Sequence, residues 1–182
     1  RDSLAYVQEK FESQDDFLRE PEKTEFTQEA TSDAPERGTF VSTVSDTVLT
    51  VIENDLYSAI FSNVGAGPVQ MVLKKYQTWD EQPVQLISDT LRSAYSLGFV
   101  SSDLLNVETR RLLFKNEYNV TSLDVRDENK SLRYTLDTEQ GPVSLTYTFF
   151  PDRYEFDVEI DLSRVRSAIG GGKVDWVWKP QI

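Results

Sequence analysis

Apolar and acidic side chains alternate strictly over residues 154–162. The even positions, from Tyr154 and Phe156 to Leu162, are apolar, and every odd position is Asp or Glu. Successive side chains of a strand point to opposite faces, so this period of two predicts a half-buried antiparallel strand. Residues 143–149 alternate in the same way between apolar residues and Ser or Thr. Only Phe-Pro-Asp-Arg at 150–153 separates the two runs, which predicts a hairpin.

Shorter apolar runs between turn residues predict further strands. They cover residues 48–52, 57–63, 69–76, 84–87, 118–125, 132–136 and 174–178. One segment, residues 103–111, is instead predicted as a helix. Many short strands at nearly regular spacing are typical of an all-β protein, so the predicted fold is an antiparallel β-sandwich.

Residues 1–38 differ from the rest of the chain. They contain eleven acidic and five basic residues and few apolar ones. Such a segment buries too little apolar surface to offset the entropy of ordering, which predicts a flexible acidic linker over residues 1–38 and a sandwich domain over residues 39–182.

Composition narrows the possible functions. The 182 residues include no cysteine and no histidine, which removes disulfides, thiol nucleophiles and the commonest general base and transition-metal ligand. The net charge of −12 and the lack of a basic cluster argue against nucleic-acid binding. No apolar run is long enough to span a membrane. The sequence therefore predicts no catalysis, no metal and no cofactor.

Three motifs with possible chemistry favour structural interpretations. Gly65-Ala66-Gly67 lacks the third glycine and the following helix of a dinucleotide-binding site, so it predicts a turn. The glycines of residues 170–172 lack the remainder of a phosphate-binding loop. Asp157, Glu159 and Asp161 have a spacing that a glycosidase could use, but an acidic row facing solvent along a strand is far commoner.

Trp176 and Trp178 lie on one side of a predicted strand. Tryptophans on such a face can stack on sugars or lipid tails, but they more often belong to a core, and the core interpretation is preferred here.

Two stretches of the chain resemble the periplasmic domain of YidC-type membrane protein insertases. The first is residues 47–87, where a strand, the Gly65/Gly67 turn, Leu73 with Tyr76, and the segment 83–87 follow one another as in that family. The second is residues 143–162, similar to the family's Tyr-Thr-Phe strand and the Tyr-headed strand after it, here beginning at Tyr154. Ala66 departs from the adjacent glycines usual in the family.

The resemblance implies a non-catalytic β super-sandwich, similar in shape to galactose mutarotase. It implies a periplasmic ectodomain of an inner-membrane protein, with the Sec translocon accessory subunits SecD and SecF and nascent membrane proteins as partners and no small-molecule substrate. Because the family domain continues for more strands, the sandwich of residues 39–182 is expected to be incomplete at its C-terminus. The structural turn and core candidates are Gly65, Gly67, Leu73, Tyr76, Tyr154, Phe156, Trp176 and Trp178.

Two alternatives remain open at this point. One is a secreted carbohydrate-binding β-sandwich module that uses Trp79, Trp176 or Trp178. The other is a binder of extended apolar chains at an exposed groove or sheet edge.

Overall fold

A computed structural model describes residues 38–42, 44–88 and 93–178 of the chain. Twelve strands make up most of this part. They are β1 (Leu49–Glu53), β2 (Tyr57–Ser62), β3 (Gly67–Gln77), β4 (Pro83–Ile87), β5 (Tyr95–Val100), β6 (Asn106–Glu108), β7 (Lys115–Asn116), β8 (Ser122–Asp124), β9 (Lys130–Thr138), β10 (Gly141–Phe149), β11 (Phe156–Asp161) and β12 (Asp175–Trp178). The interpretation of residues 1–37 as a linker falls outside the described residues.

The first sheet has the strand order β4-β3-β2-β1-β8. β8 pairs in parallel with β1, while the other neighbours are antiparallel. The β2–β3 pairing shifts its register between Ile60 and Phe61, so that Phe61 lies opposite Pro68. Proline cannot donate to a strand ladder, and this irregularity near the start of β3 is where a sheet tolerates it.

The second sheet has the order β11-β10-β9-β7 and contains the hairpin that the alternation predicts. β10 and β11 pair from Ser144 with Asp161 to Phe149 with Phe156. Along β11 the even positions are half-buried and the acidic odd positions are exposed, so both the hairpin and the orientation of its faces are confirmed.

Phe61 joins the two sheets into a sandwich. Its ring, on β2, lies edge-on to the rings of Tyr147 and Phe149 on β10, at centroid distances of 4.9 and 5.2 Å, and 5.7 Å from Phe156 on β11. The predicted all-β sandwich is therefore confirmed, with an aromatic centre.

A third sheet, with the order β12-β5-β6, completes the described fold. Phe99 of β5 meets Phe40 edge-on at 4.9 Å, which joins this sheet to the segment before β1. None of the helices in the described part of the chain is long and apolar enough to cross a membrane.

The predicted helix over residues 103–111 is wrong. The segment contains β6 and then a 3₁₀ turn at Thr109–Arg111. Leu104 has a φ of +62°, which no right-handed helix accommodates, and Val107 is buried opposite Phe99. The pairing with β5 decides the conformation here, because it buries Val107 and the Thr109 hydroxyl accepts a 2.8 Å hydrogen bond from the Leu97 amide.

The predicted strand over residues 118–125 is also too long, because only β8 forms within it. Asn119 has a φ of +49°, and the Asn116 side chain accepts a hydrogen bond from the Tyr118 amide, so a turn interrupts the run. β5 and β7 were not predicted. β5 is the more informative omission, since it carries the third sheet.

Candidate functional site

The turn at Gly65-Ala66-Gly67 lies at the centre of the fold. Gly65 and Ala66 have φ values of +81° and +51°, and the Gly65 amide donates a 2.8 Å hydrogen bond to the Leu112 carbonyl. The buried Tyr147 hydroxyl donates a 2.6 Å hydrogen bond to the Ala66 carbonyl. The second sheet therefore holds a turn of the first sheet from inside the sandwich.

Close contacts surround both glycines of this turn. A Cβ on Gly65 would lie 2.8 Å from the Arg110 Cα and 2.9 Å from the Ser93 Cβ. On Gly67 it would lie 2.2 Å from the Ser93 hydroxyl oxygen and 3.2 Å from that of Tyr147. The contact with Arg110 involves backbone, which cannot rotate away.

Gly65→Ala is therefore expected to lower the free energy of unfolding by about 2 to 3 kcal/mol, because left-handed backbone strain adds to the overlap. Gly171→Ala is the matched control: its φ of +66° is also positive, but no atom lies within 4 Å of the added methyl. The control should lose only about 1 kcal/mol. Equal losses in chemical denaturation of the two variants would show that backbone strain alone matters and that the close contacts do not.

The place where β3 leaves the sandwich contains three of the candidate residues: Leu73, Tyr76 and Tyr154. Leu73 is buried opposite Tyr57, as expected of a core residue. Tyr76 is 54% exposed, so its assignment to the core is wrong. Its ring lies 5.9 Å from that of the half-buried Tyr154, and the pair joins β3 to the chain entering β11. The ring of Phe156 lies deeper in the sandwich and packs against Phe61 at the aromatic centre.

Trp176 and Trp178 are not core residues either, with exposed fractions of 42% and 53%. Both rings lie over Tyr95 of β5, at centroid distances of 5.2 and 4.6 Å, so that Tyr95 is only 8% exposed. Among the described strands, β12 is hydrogen-bonded to β5 alone. The register of this pairing places the two indole rings outside the ring of Tyr95. The alternation of residues along the strand does not distinguish a side chain that covers a neighbour from one that is itself buried.

The acidic row of β11 faces solvent, as predicted. Asp157, Glu159 and Asp161 are exposed, and no group of three metal-ligating side chains occurs among the residues the structure describes. Beside the end of this row is an open cleft of about 370 Å³. Its lining is mixed: Ile160, Leu162, Ile169 and Val174 are apolar, and Asp161 and Arg166 are its charged members.

The pKa values of three groups are shifted by burial or by a surface ion pair. Burial raises the pKa of Tyr57 to about 12 and that of Tyr147 well above its ordinary value, so both phenols stay protonated at neutral pH. The pKa of Asp124 is lowered to about 2, chiefly by its hydrogen bond with the Arg126 side chain on the surface. None of these three groups changes its protonation state near pH 7.

The sequence did not predict the exposed arm formed by the ends of β3 and β4, although it offered Trp79 as one of three candidates for sugar binding. Trp79 lies in its turn with 97% of its surface exposed. The only sequence signal was an isolated tryptophan between two strands, followed by Asp80 and Glu81 in turn positions.

These features define the class: an all-β sandwich domain whose exposed groups are aromatic side chains and surface ion pairs. The model of the YidC periplasmic domain family matches residues 49–169. The chain therefore belongs to that family, whose domain lies on the periplasmic side of the inner membrane.

Curated relatives named membrane protein insertase YidC agree with this assignment. The protein of Chlorobaculum tepidum is 32% identical over 152 residues, which cover 82% of this chain and 26% of the relative. That of Chlorobaculum parvum is 33% identical over 139 residues, covering 75% and 24%. The chain thus spans about a quarter of the length of these relatives.

Proposed function

We propose that this domain is a non-catalytic docking module of a membrane protein insertase. It would bind the translocon accessory subunits SecD and SecF, or client chains, on the periplasmic side. The family match across residues 49–169, which spans both main sheets of the sandwich, is the observation that carries the proposal.

The distribution of polar groups supports a binding role. The described salt bridges, such as Lys74 with Glu53 and Lys173 with Asp175, are at least partly exposed, and exposed pairs contribute little to stability. Large apolar side chains, in contrast, remain exposed at Trp79, Trp176 and Trp178. Aromatic residues on a surface are the commonest anchors of protein–protein interfaces.

Carbohydrate binding remains the second candidate because Trp176 and Trp178 form a partly exposed aromatic layer over Tyr95. Sugar rings stack on such layers. Calorimetric titration with common hexoses and their oligomers distinguishes the two candidates, since a protein-docking domain should give no heat.

The docking role is tested on the full-length insertase purified from its own membranes. A variant without residues 38–178 is expected to recover roughly tenfold less SecD and SecF, or less of a stalled client chain, than the intact protein. Recovery should also fall with added salt, because an acidic domain draws on complementary charge for association. Unchanged recovery of all these partners by the deletion variant would contradict the proposal.

A further inference from the structure

The tip of the β3–β4 arm presents one tryptophan to solvent. Trp79 is 97% exposed, whereas tryptophan is on average a largely buried residue. A side chain of this size left fully in water forfeits the gain from burying its apolar surface. Tryptophan is enriched at protein–protein interfaces and among their strongest contacts, so an exposed one on an ordered turn is a candidate contact residue.

The turn that carries Trp79 is held by several hydrogen bonds. The Glu81 amide donates to the Thr78 carbonyl at 3.0 Å, and the Thr78 amide donates to the Gln82 carbonyl at 2.8 Å. The Thr78 hydroxyl also contacts Asp80 and the Gln82 carbonyl. Glu81 has a φ of +62°, a conformation that costs a non-glycine residue about 1 to 2 kcal/mol. Trp79 thus stands on an ordered loop.

The base of the arm is fixed to the body of the sandwich. The Lys74 ammonium donates to the Asn54 carbonyl at 2.6 Å and to the Glu53 carboxylate at 2.7 Å. Two residues further on, Tyr76 contacts Tyr154. Within the arm, the segment beyond Tyr76 projects from the body of the sandwich. Binding at Trp79 would therefore require little further ordering of the chain, and a small ordering cost favours affinity.

Charge at the tip indicates the kind of partner. Asp80 and Glu81 follow Trp79 directly, residues 77–82 contain no basic residue, and the chain carries a net charge of −12. An anionic lipid surface repels such a tip. Basic side chains around an apolar pocket attract it.

We infer that Trp79 inserts into an apolar pocket of a protein partner whose rim carries Lys or Arg, which contact Asp80 and Glu81. This inference rests on the proposed docking function and names the surface that performs it. Its contact residues on this chain are Trp79, Asp80 and Glu81, with Tyr76 and Tyr154 supporting the arm from below.

The β5–β6 hairpin provides a matched control within the same domain. Its turn closes in the same way, with the Leu104 amide donating to the Ser101 carbonyl at 3.0 Å and the Ser101 amide donating to the Leu105 carbonyl at 2.8 Å. Leu104 is 85% exposed. This turn therefore presents an apolar side chain without a tryptophan.

The test places a photo-crosslinking amino acid at Gln82 of the full-length insertase in its own membranes. Gln82 is exposed beside the tip, and its backbone alone closes the turn. Illumination is expected to give a protein adduct whose mapped peptide has apolar residues flanked by Lys or Arg. Trp79→Ala should reduce the adduct yield roughly 30-fold, while Trp79→Phe keeps most of it. Leu104→Ala should leave the yield unchanged.

Charge is tested with one further pair of variants. Glu81→Lys should reduce the adduct yield roughly tenfold. The control Asp127→Lys, at another exposed acidic residue, should have little effect on the yield. An adduct with lipid, an adduct on an acidic peptide, or a yield insensitive to Trp79→Ala would each overturn the inference. If deletion of residues 38–178 abolishes partner recovery while Trp79→Ala does not alter the adduct yield, the docking function is supported. In that case only the assignment of the contact to Trp79 is wrong.

Discussion

Replacing Phe61 by alanine is expected to lower the free energy of unfolding by about 3 to 5 kcal/mol. Phe61 exposes none of its surface and contacts Tyr147, Phe149 and Phe156 in the opposite sheet. Truncation removes the transfer free energy of the ring and leaves a cavity whose walls come from two sheets. Strands held by ladders on both sides cannot collapse readily into that space, so the loss should fall in the upper part of the range for large-to-small changes.

Two control variants separate the cavity from other effects of the substitution. Phe61→Leu retains much of the volume and should lose about 1 to 2 kcal/mol. Tyr118→Ala removes an aromatic ring that is 55% exposed and should change stability far less. Chemical denaturation measures all three variants. A loss for Phe61→Ala no larger than that for Tyr118→Ala would mean that the two sheets do not pack through Phe61.

Asn54→Ala is expected to lower the free energy of unfolding by about 3 to 4 kcal/mol, although it removes no apolar surface. The Asn54 side chain is fully buried between two turns. Its oxygen accepts hydrogen bonds from the Leu56 and Tyr57 amides at 2.9 and 2.8 Å, and its amide nitrogen donates to the Phe150 and Arg153 carbonyls at 3.0 and 3.2 Å. Alanine leaves four backbone groups without this partner, and an unmade buried hydrogen bond costs more than a made one contributes.

Asn54→Asp separates the hydrogen bonds that the Asn54 side chain accepts from those that it donates. The carboxylate can still accept from the Leu56 and Tyr57 amides, but it faces the Phe150 and Arg153 carbonyls without a proton to donate. We expect it to destabilise the domain clearly at neutral pH. Asn129→Ala, at an exposed turn position, should change stability by less than about 0.5 kcal/mol. If both Asn54 variants unfold like the parent protein, the contact between the β1–β2 and β10–β11 turns does not stabilise the fold.

Asn54 also shows why some of the structure is hidden from the sequence. A Glu-Asn-Asp run predicts a turn, because Asn hydrogen-bonds readily to nearby backbone. That it would also donate to carbonyls 96 and 99 residues away depends on how the two sheets stack. No local pattern encodes a contact at that separation.

The aromatic side chains give the same lesson for exposure. Tyr76 was a core candidate through the family resemblance. Trp176 and Trp178 fit an alternating pattern, and their core interpretation followed from how often tryptophans belong to a core. Their side of the strand was predictable, but whether another layer covers that side was not. β12 and the end of β3 lie at the margins of their sheets, where a large side chain can shield a neighbour and still remain half exposed.

The sequence by itself determined the elements whose patterns are local. Alternation specified the β10–β11 hairpin and its two faces, Gly65 and Gly67 marked a turn, and the lack of cysteine and histidine removed whole classes of chemistry. Tertiary structure decided the remainder. It placed Val107 in a strand instead of a helix, because pairing with Phe99 buries it, and it left Trp79 alone at the end of an arm. The physical reason is that burial and strand pairing are properties of neighbours brought together from distant parts of the chain, and their free energy exceeds the weak local preference of each segment.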